Sequence, residues 1–337
     1  PPPPVRNRLE SPKDQIMNPA ARDRLFNFHH ALDHPVSLWI SIGVAAALIL
    51  APIVIFALTA AGLVKPALKS ELWKRTISWM VMCPLVIVPI LLGAFWTILV
   101  FTIISLLCYR EFARATGLFR DSLISAMVVL GIVALNLAAL DHWYNLFLAL
   151  FPLTIIIMAA VAITPDQPKG YIQRVGLGVF GFSLFGVCLG HLSYFANDKD
   201  YRPILLLILL TVQLNDIIAF CVGKPLGKRK LAPNTSPGKT LAGSLGSLFL
   251  TTPLVAFLVH SAFRGQPIDE PGHLLAIGII VAVGGQLGDL MISSIKRDVG
   301  IKDMGALIPG HGGVLDRCNS LLLVAPALFH YIGYFRN

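Results

Sequence analysis

Charged residues are scarce in this chain. Only 13% of its 337 residues are Asp, Glu, Lys or Arg, whereas a soluble domain carries about 25%. Hydrophobic residues make up 55% of the sequence, and the mean hydropathy is +0.73. A chain with so few polar groups cannot cover a folded surface facing water, so the composition excludes a water-soluble protein.

Cysteine motifs and internal repeats are missing as well. The five cysteines lie in or beside apolar stretches, and no pair has CxxC spacing or a set of histidines nearby. We therefore interpret them as buried thiols. The sequence contains no repeat of fixed period and no appended soluble domain.

Long apolar segments are what the sequence has in abundance. Crossing the hydrocarbon core of a bilayer as a helix takes about 20 residues. We therefore predict an all-α, polytopic integral membrane protein with about nine or ten transmembrane helices. The uncertainty in number arises because 76–109 is one apolar block and because 37–64 could be re-entrant. The segments are 37–64, 76–91, 92–109, 122–140, 145–164, 174–196, 202–222, 241–262, 273–293 and 318–335.

Basic residues are concentrated in alternate loops. The loops around 69–75, 110–120, 169–174, 224–239 and 296–317 are basic, and the loops between them carry few bases. The positive-inside rule places these five loops in the cytoplasm, beside anionic lipid. The bases form no continuous stripe, so we expect no nucleic-acid partner. The domains predicted are a polar, proline-rich tail with an interfacial helix (1–35), N-terminal transmembrane helices (36–200) and a C-terminal transmembrane domain (201–337).

Polar residues inside apolar helices are costly and mark candidate functional sites. If 273–297 is helical, Asp289, Ser293 and Lys296 lie on one face, with Gly285 one turn earlier. A second carboxylate, Asp316, opens the last span. Hard oxygen ligands on two helices are what Mg²⁺ bound to a triphosphate requires, so Asp289 and Asp316 are the predicted magnesium ligands. Whether a monovalent cation such as K⁺ joins it is left open.

The loop between these helices carries cations and a glycine-rich turn. Residues 309–313 read Pro-Gly-His-Gly-Gly, and the free N–H groups of such a turn can hold phosphate oxygens. Cationic side chains can stabilise a developing pyrophosphate. The cations are Lys296, Arg297, Lys302 and Arg317.

A second polar region occupies residues 213–243. Asp216 lies inside an apolar helix, and a basic loop follows it, ending in Ser236 and Lys239. A buried acid beside a group of cations fits a nucleotide or an anionic lipid headgroup.

One run of the sequence has a specific resemblance. From Ser293 to Arg317 it reads S-x-x-K-R-x4-K-D-x-G-x2-I-P-G-H-G-G-x2-D-R, which resembles the signature of phosphatidate cytidylyltransferases, or CDP-diacylglycerol synthases. The order of Asp216, the G-x-x-x-G-K-x-K-L-A-P run at 223–233, S-P-x-K-T at 236–240 and G-D-L at 288–290 is similar to that family's C-terminal half. The likeness is strong over about 210–330. It departs where Asn319 replaces an aspartate and where Leu241 and Ala242 replace Trp-Glu, so the chain looks like a divergent paralogue.

The resemblance implies the reaction of CTP with phosphatidate, or another lipid phosphate, to give CDP-diacylglycerol and pyrophosphate. It implies an active site in 201–337 at the cytoplasmic face, which we expect in a bacterial inner membrane. The lipid phosphate would itself be the nucleophile, so catalysis is positioning and charge neutralisation. The expected catalytic residues are Lys296, Arg297, Lys302, Asp303 and His311, and the expected substrate-binding residues are Asp216, Ser236, Lys239, Ser293, Gly312, Gly313, Arg317 and Asn319.

Plainer interpretations stay open beside this one. Asp216 could be a helix-packing residue, the basic loops could serve topology alone, and His311 could be a simple turn residue. Glu111 is interpreted as structural. The alternative functions are a CTP-dependent polyprenol or phytol kinase, and a lipid-binding or transport protein whose catalysis is weakened at Asn319 and Ala242. The sequence leaves the oligomeric state open, a homodimer included.

Overall fold

The computed structural model describes residues 19–63 and 65–336, which are almost entirely helical. The predicted proline-rich tail lies outside the described residues up to residue 18. The helices are α1 Pro19–Phe26, α2 Pro35–Ala60, α3 Pro66–Leu92, α4 Ala94–Thr116, α5 Ser122–Leu140, α6 Tyr144–Val161, α7 Tyr171–Gly181, α8 Leu189–Phe195, α9 Tyr201–Leu226, α10 Leu241–Phe263, α11 Pro271–Asp298, α12 Leu315–Cys318 and α13 Leu321–Phe335. A two-stranded antiparallel hairpin, β1 Lys230–Ala232 and β2 Ser236–Thr240, interrupts them.

Nine helical spans of the described chain are long and apolar enough to cross a membrane. One of them, Tyr171–Phe195, comprises α7, a π-helical segment Phe182–Cys188 and α8. The apolar helix α13, of 15 residues, is shorter than these nine. The predicted all-α class with about nine or ten transmembrane helices is therefore confirmed.

A glycine divides the apolar block at 76–109. Gly93 separates α3 from α4 with φ of 138°, a conformation that L side chains rarely adopt. A Cβ there would also lie 2.4 Å from the carbonyl oxygen of Leu25, so α1 packs directly on this break. By contrast, Pro84 and Pro89 lie inside α3 without ending it. The helix begins ten residues before the predicted span because its polar first turns extend beyond the apolar segment.

Contacts at the helix ends show that α2 crosses the bundle. Arg202, at the start of α9, donates to the carbonyls of Asn27 and His30, just before α2. The other end of α2 leads into α3, whose Arg75 contacts Gly310 beside the polar loops. A continuous helix of 26 residues is about 39 Å long, enough to span the hydrocarbon core. Segment 37–64 is therefore no re-entrant hairpin.

The five basic loops meet at one end of the helices, which we call the basic face. The contacts that join them are those of Gly310 with Arg75, Val314 with Glu111, Arg174 with Asp121 and Arg297 with Thr235. At the opposite face, Arg336 pairs with Asp198 and Asp200. The described basic residues of α1 also lie at the opposite face, since Arg24 donates to the carbonyl of Leu140 at 2.7 Å.

Large aromatic side chains are packed inside the bundle. Phe101, Phe112, Phe182 and Phe185 are fully buried between α4, α5, α8 and α13. Large apolar side chains such as Phe56 and Phe257 point outward, 69% and 73% exposed, as expected of a surface that faces lipid. The protein is therefore an integral membrane protein. The prediction of buried thiols is right for Cys108 and Cys318 and wrong for Cys221, which faces outward from α9.

Candidate active site

The predicted polar stripe of α11 faces the interior. Ser293 and Lys296 are buried, and the side chain of Asp289 is 24% exposed. Gly285 lies one turn before Asp289, and Gly288 lies directly before it, where a Cβ on Gly288 would fall 2.4 Å from the carbonyl oxygen of Asn319. The glycine lets the start of the last helix approach α11 closely.

Asp289 joins three separate elements. Its Oδ2 lies 2.7 Å from Nζ of Lys239 at the end of β2. Its Oδ1 accepts a hydrogen bond from Nδ2 of Asn319, which is buried just before α13. Thus Asp289, Lys239 and Asn319, which lie far apart in the sequence, form one cluster.

Asp216 faces the same space from α9. Its Oδ2 accepts a hydrogen bond of 3.2 Å from Ser320 Oγ, and the residue before Ser320 is Asn319, which bonds to Asp289. Asp216 and Asp289 each lie about two and a half turns before the ends of their helices at the basic face. The two carboxylates, with Lys239, Asn319 and Ser320, form what we call the deep cluster.

A polar network lies next to the deep cluster, and sequence reasoning missed it. Asn215 accepts from Ser247 of α10, and Gln286 of α11 donates to Ser247 Oγ at 3.2 Å and accepts from Ser244. Asn215 directly precedes Asp216, and Gln286 lies three residues before Asp289. Their position inside apolar helices was the available signal.

Asp316 has different partners from Asp289. Its Oδ1 lies 2.8 Å from Lys296 Nζ, and its Oδ2 accepts from the amides of Met304 at 2.9 Å and Gly313 at 3.0 Å. Asp316 therefore organises the loop before it. Asn319, three residues later, bonds to Asp289, so both predicted magnesium ligands lie on the same side of the bundle.

The glycine-rich turn is closed by its own backbone. The amides of His311 and Gly312 donate to the carbonyl of Ile308, and Gly310 and Gly312 have φ of 74° and 84°, where glycine is favoured. The side chain of Arg317 donates twice to the carbonyl of His311, at 3.2 and 3.0 Å. These bonds fix the turn from its C-terminal side.

The imidazole of His311 stands edge-on to Trp79, with ring centroids 5.7 Å apart. Its Nδ1 is buried and has no hydrogen-bond partner within residues 19–63 and 65–336. Burial first, and then the charges of Arg317 and Arg75, lower the pKa of His311. The ring is therefore neutral at pH 7 and can offer one unpaired nitrogen to a ligand.

The remaining predicted residues lie around the mouth of the site. Arg297 donates to the carbonyls of Thr235 and Ile301, tying α11 to the hairpin. Lys302 and Asp303 are exposed in the loop after α11, with Asp303 against Gly312. Ser236 is half-buried at the start of β2. The end of α11 and the loop after it therefore place the cationic side chains of Arg297 and Lys302 at the mouth of the site.

The predicted basic loop after α9 contains the hairpin of β1 and β2. The hairpin ends at Thr240, whose Oγ1 accepts from the Gly243 amide and caps α10. A Cβ on Gly243 would lie 2.6 Å from the carbonyl oxygen of Ala219, so α9 and α10 touch through backbone there. This packing fixes Lys239 beside α11.

The residues of the deep cluster fit a divalent cation. Asp216 and Asp289 supply hard oxygen ligands, Ser320 and Asn319 supply neutral oxygens nearby, and Asp289 already pairs with the cation of Lys239. Within the described residues, no three His, Cys, Asp or Glu side chains form a complete metal site. Mg²⁺ is commonly held by one or two carboxylates together with substrate phosphates and water.

Comparison with known proteins gives a consistent result. The chain is 31% identical over 249 residues to the uncharacterised protein YnbB of Escherichia coli (strain K12), covering 72% of this chain and 81% of that protein. It is 31% identical to the phosphatidate cytidylyltransferase of Bacillus subtilis (strain 168), over 63% of this chain and 81% of the relative. For the enzyme of the same name from Staphylococcus haemolyticus (strain JCSC1435), the identity is 31%, over 72% of this chain and 93% of the relative.

Residues 73–335, which run from α3 to the end of α13, match the model of the cytidylyltransferase family. The matched segment contains the deep cluster, the hairpin and the glycine-rich turn. The chain therefore belongs to the cytidylyltransferase family and is a membrane-embedded nucleotidyltransferase.

Proposed function

We propose that this protein transfers the cytidylyl group of CTP to phosphatidate, forming CDP-diacylglycerol and pyrophosphate. The observation that carries the proposal is the deep cluster beneath a cationic, glycine-rich loop. In it Asp289 pairs with Lys239, and the adjacent residues Asn319 and Ser320 bond to Asp289 and Asp216. Two similar proteins named phosphatidate cytidylyltransferases support the choice of acceptor. We place the basic face in the cytoplasm of a bacterial inner membrane, following the distribution of Lys and Arg.

Magnesium is the proposed cofactor, and Asp289 is its principal ligand. When bound, the ion would supply positive charge to the phosphate oxygens of CTP. Asp316 stays the predicted second ligand, although its oxygens already bond Lys296 and two amides. Asp216 is the alternative second ligand because it faces the same space as Asp289.

The chemistry needs little more than alignment. An oxygen of the lipid phosphate forms a bond to the α-phosphorus of CTP, and the bond from that phosphorus to the bridging oxygen of the β-phosphate breaks. Pyrophosphate leaves with that electron pair. Since the nucleophile is already an anion, no protein side chain has to remove a proton. The protein's contribution is positioning and electrostatic stabilisation.

The residues around the turn are assigned to the leaving group. Lys296, Arg297 and Lys302 neutralise the developing pyrophosphate, and the unpaired nitrogen of His311 offers it a hydrogen bond. The amides of Gly312 and Gly313, together with Asp303, shape the turn. Ser236, Lys239, Ser293, Arg317 and Asn319 are assigned to substrate contacts or to holding those contacts in place.

The acceptor can reach the deep cluster from the membrane. Ile217, next to Asp216, is 55% exposed, and Leu287, two residues before Asp289, is 50% exposed. Apolar surface therefore begins within one turn of both carboxylates. A lipid can keep its acyl chains along that surface while its phosphate enters the cluster.

The proposal is tested with purified protein in detergent or vesicles. Given Mg²⁺, phosphatidate and CTP labelled at the α-phosphorus, it should yield labelled CDP-diacylglycerol and unlabelled pyrophosphate. Asp289→Asn should abolish the transfer, since the site loses a charge needed by the cation. Asp198→Asn, at the opposite face, is the matched control and should leave the rate unchanged.

The same assay separates the alternatives. Label appearing in the lipid only from γ-labelled CTP would identify a kinase acting on an alcohol. No nucleotide turnover with any lipid phosphate in a panel would indicate a lipid-binding or transport protein. Full activity in Asp289→Asn would refute the metal assignment.

A further inference from the structure

Glu111 is a buried carboxylate that the proposed chemistry does not use. It lies near the end of α4, in the N-terminal half, and is only 6% exposed. Its Oε1 accepts from the amide of Val314 at 3.0 Å, and its Oε2 accepts from the amide of Leu315 at 2.9 Å. Both oxygens of a side chain from one half of the protein are thus bonded to the backbone of the other half.

Two glycines of the signature run close tightly around this carboxylate. A Cβ on Gly305 would lie 2.5 Å from Oε1 of Glu111, and a Cβ on Gly313 would lie 2.3 Å from Oε2. An added Cβ would clash at either distance, so either the loop backbone or the Glu111 carboxylate would have to move. The loop backbone therefore folds over Glu111, and glycine at 305 and 313 lets the carboxylate keep both of its bonds to the loop.

The bonds of Glu111 lead directly to the charged pair at the mouth of the site. Gly313, next to Val314, donates its amide to Asp316, and Asp316 holds Lys296 at 2.8 Å. The loop's earlier end is fixed from the same half, since Ser78 Oγ of α3 donates to the carbonyl of Pro309 at 2.7 Å. The loop thus takes its shape from α3 and α4 as well as from its own sequence.

We propose that Glu111 is a positioning residue for the nucleotide: it holds the 305–315 loop in the one conformation that can receive the triphosphate of CTP. It acts through the amides of Val314 and Leu315 and does not touch substrate itself. This inference rests on the proposed function for its ligand, but the bond between carboxylate and loop is testable without turnover.

The decisive variant is Glu111→Gln. It keeps the size of the side chain but replaces one acceptor oxygen by an NH₂ group that faces a backbone N–H. The matched control is Glu270→Gln, because Glu270 is exposed at the opposite face, before α11. Gly305→Ala is a second variant with the same expected effect, since the added methyl group and the Glu111 carboxylate cannot both keep their present positions.

Two measurements are made on the full chain in detergent. Hydrogen exchange followed by mass spectrometry reports the protection of amides in 313–315, and its slowing by added CTP reports nucleotide binding without turnover. Steady-state kinetics report KM for CTP and for phosphatidate separately. In Glu111→Gln and Gly305→Ala we expect faster exchange confined to the loop. We also expect KM for CTP to rise by about tenfold, because a hydrogen bond to a charged acceptor changes an equilibrium by that order. KM for phosphatidate should change by less than about twofold, within the effect expected of a remote surface change.

The outcomes separate this inference from the proposed function. Unchanged exchange in 313–315 would overturn the role of Glu111 whatever the kinetics show. Faster exchange with unchanged CTP binding would also overturn it, since the loop would then be held for another purpose. A wild-type protein that makes no CDP-diacylglycerol but binds CTP, with weaker binding in both variants, would refute phosphatidate as acceptor and support the positioning role.

Discussion

Lys296 and Asp316 form a buried ion pair, and breaking this pair should lower the free energy of unfolding. Their side chains are 11% and 5% exposed and their charged atoms are 2.8 Å apart. Replacing Lys296 by methionine keeps the length of the side chain and removes the charge. Asp316 would then be left as a buried carboxylate without its cation.

The size of the effect follows from what Asp316 retains. Removing one partner of a buried pair costs about 3 to 5 kcal/mol. Asp316 keeps its bonds from the amides of Met304 and Gly313, so we expect a loss near the lower end, about 3 kcal/mol. In the double variant Lys296→Met, Asp316→Asn no charge is left unpaired. The double variant should therefore lose less free energy of unfolding than the two single variants lose in sum.

The assay is reversible unfolding in mixed micelles, followed by circular dichroism. Lys199→Met is the matched control, because Lys199 is exposed at the opposite face, and it should change the free energy of unfolding by less than about 0.5 kcal/mol. If Lys296→Met loses no more than this control, Lys296 and Asp316 do not form a stabilising pair. If the single losses add in the double variant, the two residues do not interact.

Two further predictions concern packing and pH. Gly243→Ala should destabilise the protein by about 1 to 3 kcal/mol, because its methyl group would force α9 and α10 apart. Gly238→Ala is the control: the space around Gly238 is open, so this variant should have little effect on the same unfolding measurement. The pKa of His311 is lowered from 6.5 in the folded protein, so folding favours the neutral ring. The resulting stability is present above pH 6.5 and is lost as the pH falls toward the folded-state pKa. Melting temperatures measured from pH 7 to 5 should fall less in His311→Asn than in the wild type, and parallel curves would contradict this account.

Local chemistry made much of the fold predictable. Apolar runs of span length, the Lys and Arg content of alternate loops, and the i, i+4, i+7 spacing of Asp289, Ser293 and Lys296 all act within one helix or one loop. The structure accordingly has its helices close to the predicted segments. The errors are at features that hydropathy does not detect: the polar first turns of α3, the short hairpin at 230–240, and the outward-facing Cys221.

The site itself was predicted in its residue types and only partly in its arrangement. Asp289 and Asp316 were paired because they are hard oxygen ligands on two different helices. In the structure Asp289 instead lies in the deep cluster with Asp216, Lys239 and Asn319. Asp316 pairs with Lys296. A magnesium ion shared by Asp289 and Asp316 stays a prediction.

By itself, the sequence determined the class of protein, the approximate positions of its membrane helices, the face on which its cations gather and the residue types of its site, because hydrophobicity and helical period act over a few residues. Only the tertiary structure decided which charges meet. Glu111 bonds to amides about two hundred positions away, and Asp216 shares a space with Asp289. Such contacts depend on how closely the elements pack. A glycine at 243 or 288 allows the backbone of another element to come close, and no local sequence pattern records that contact.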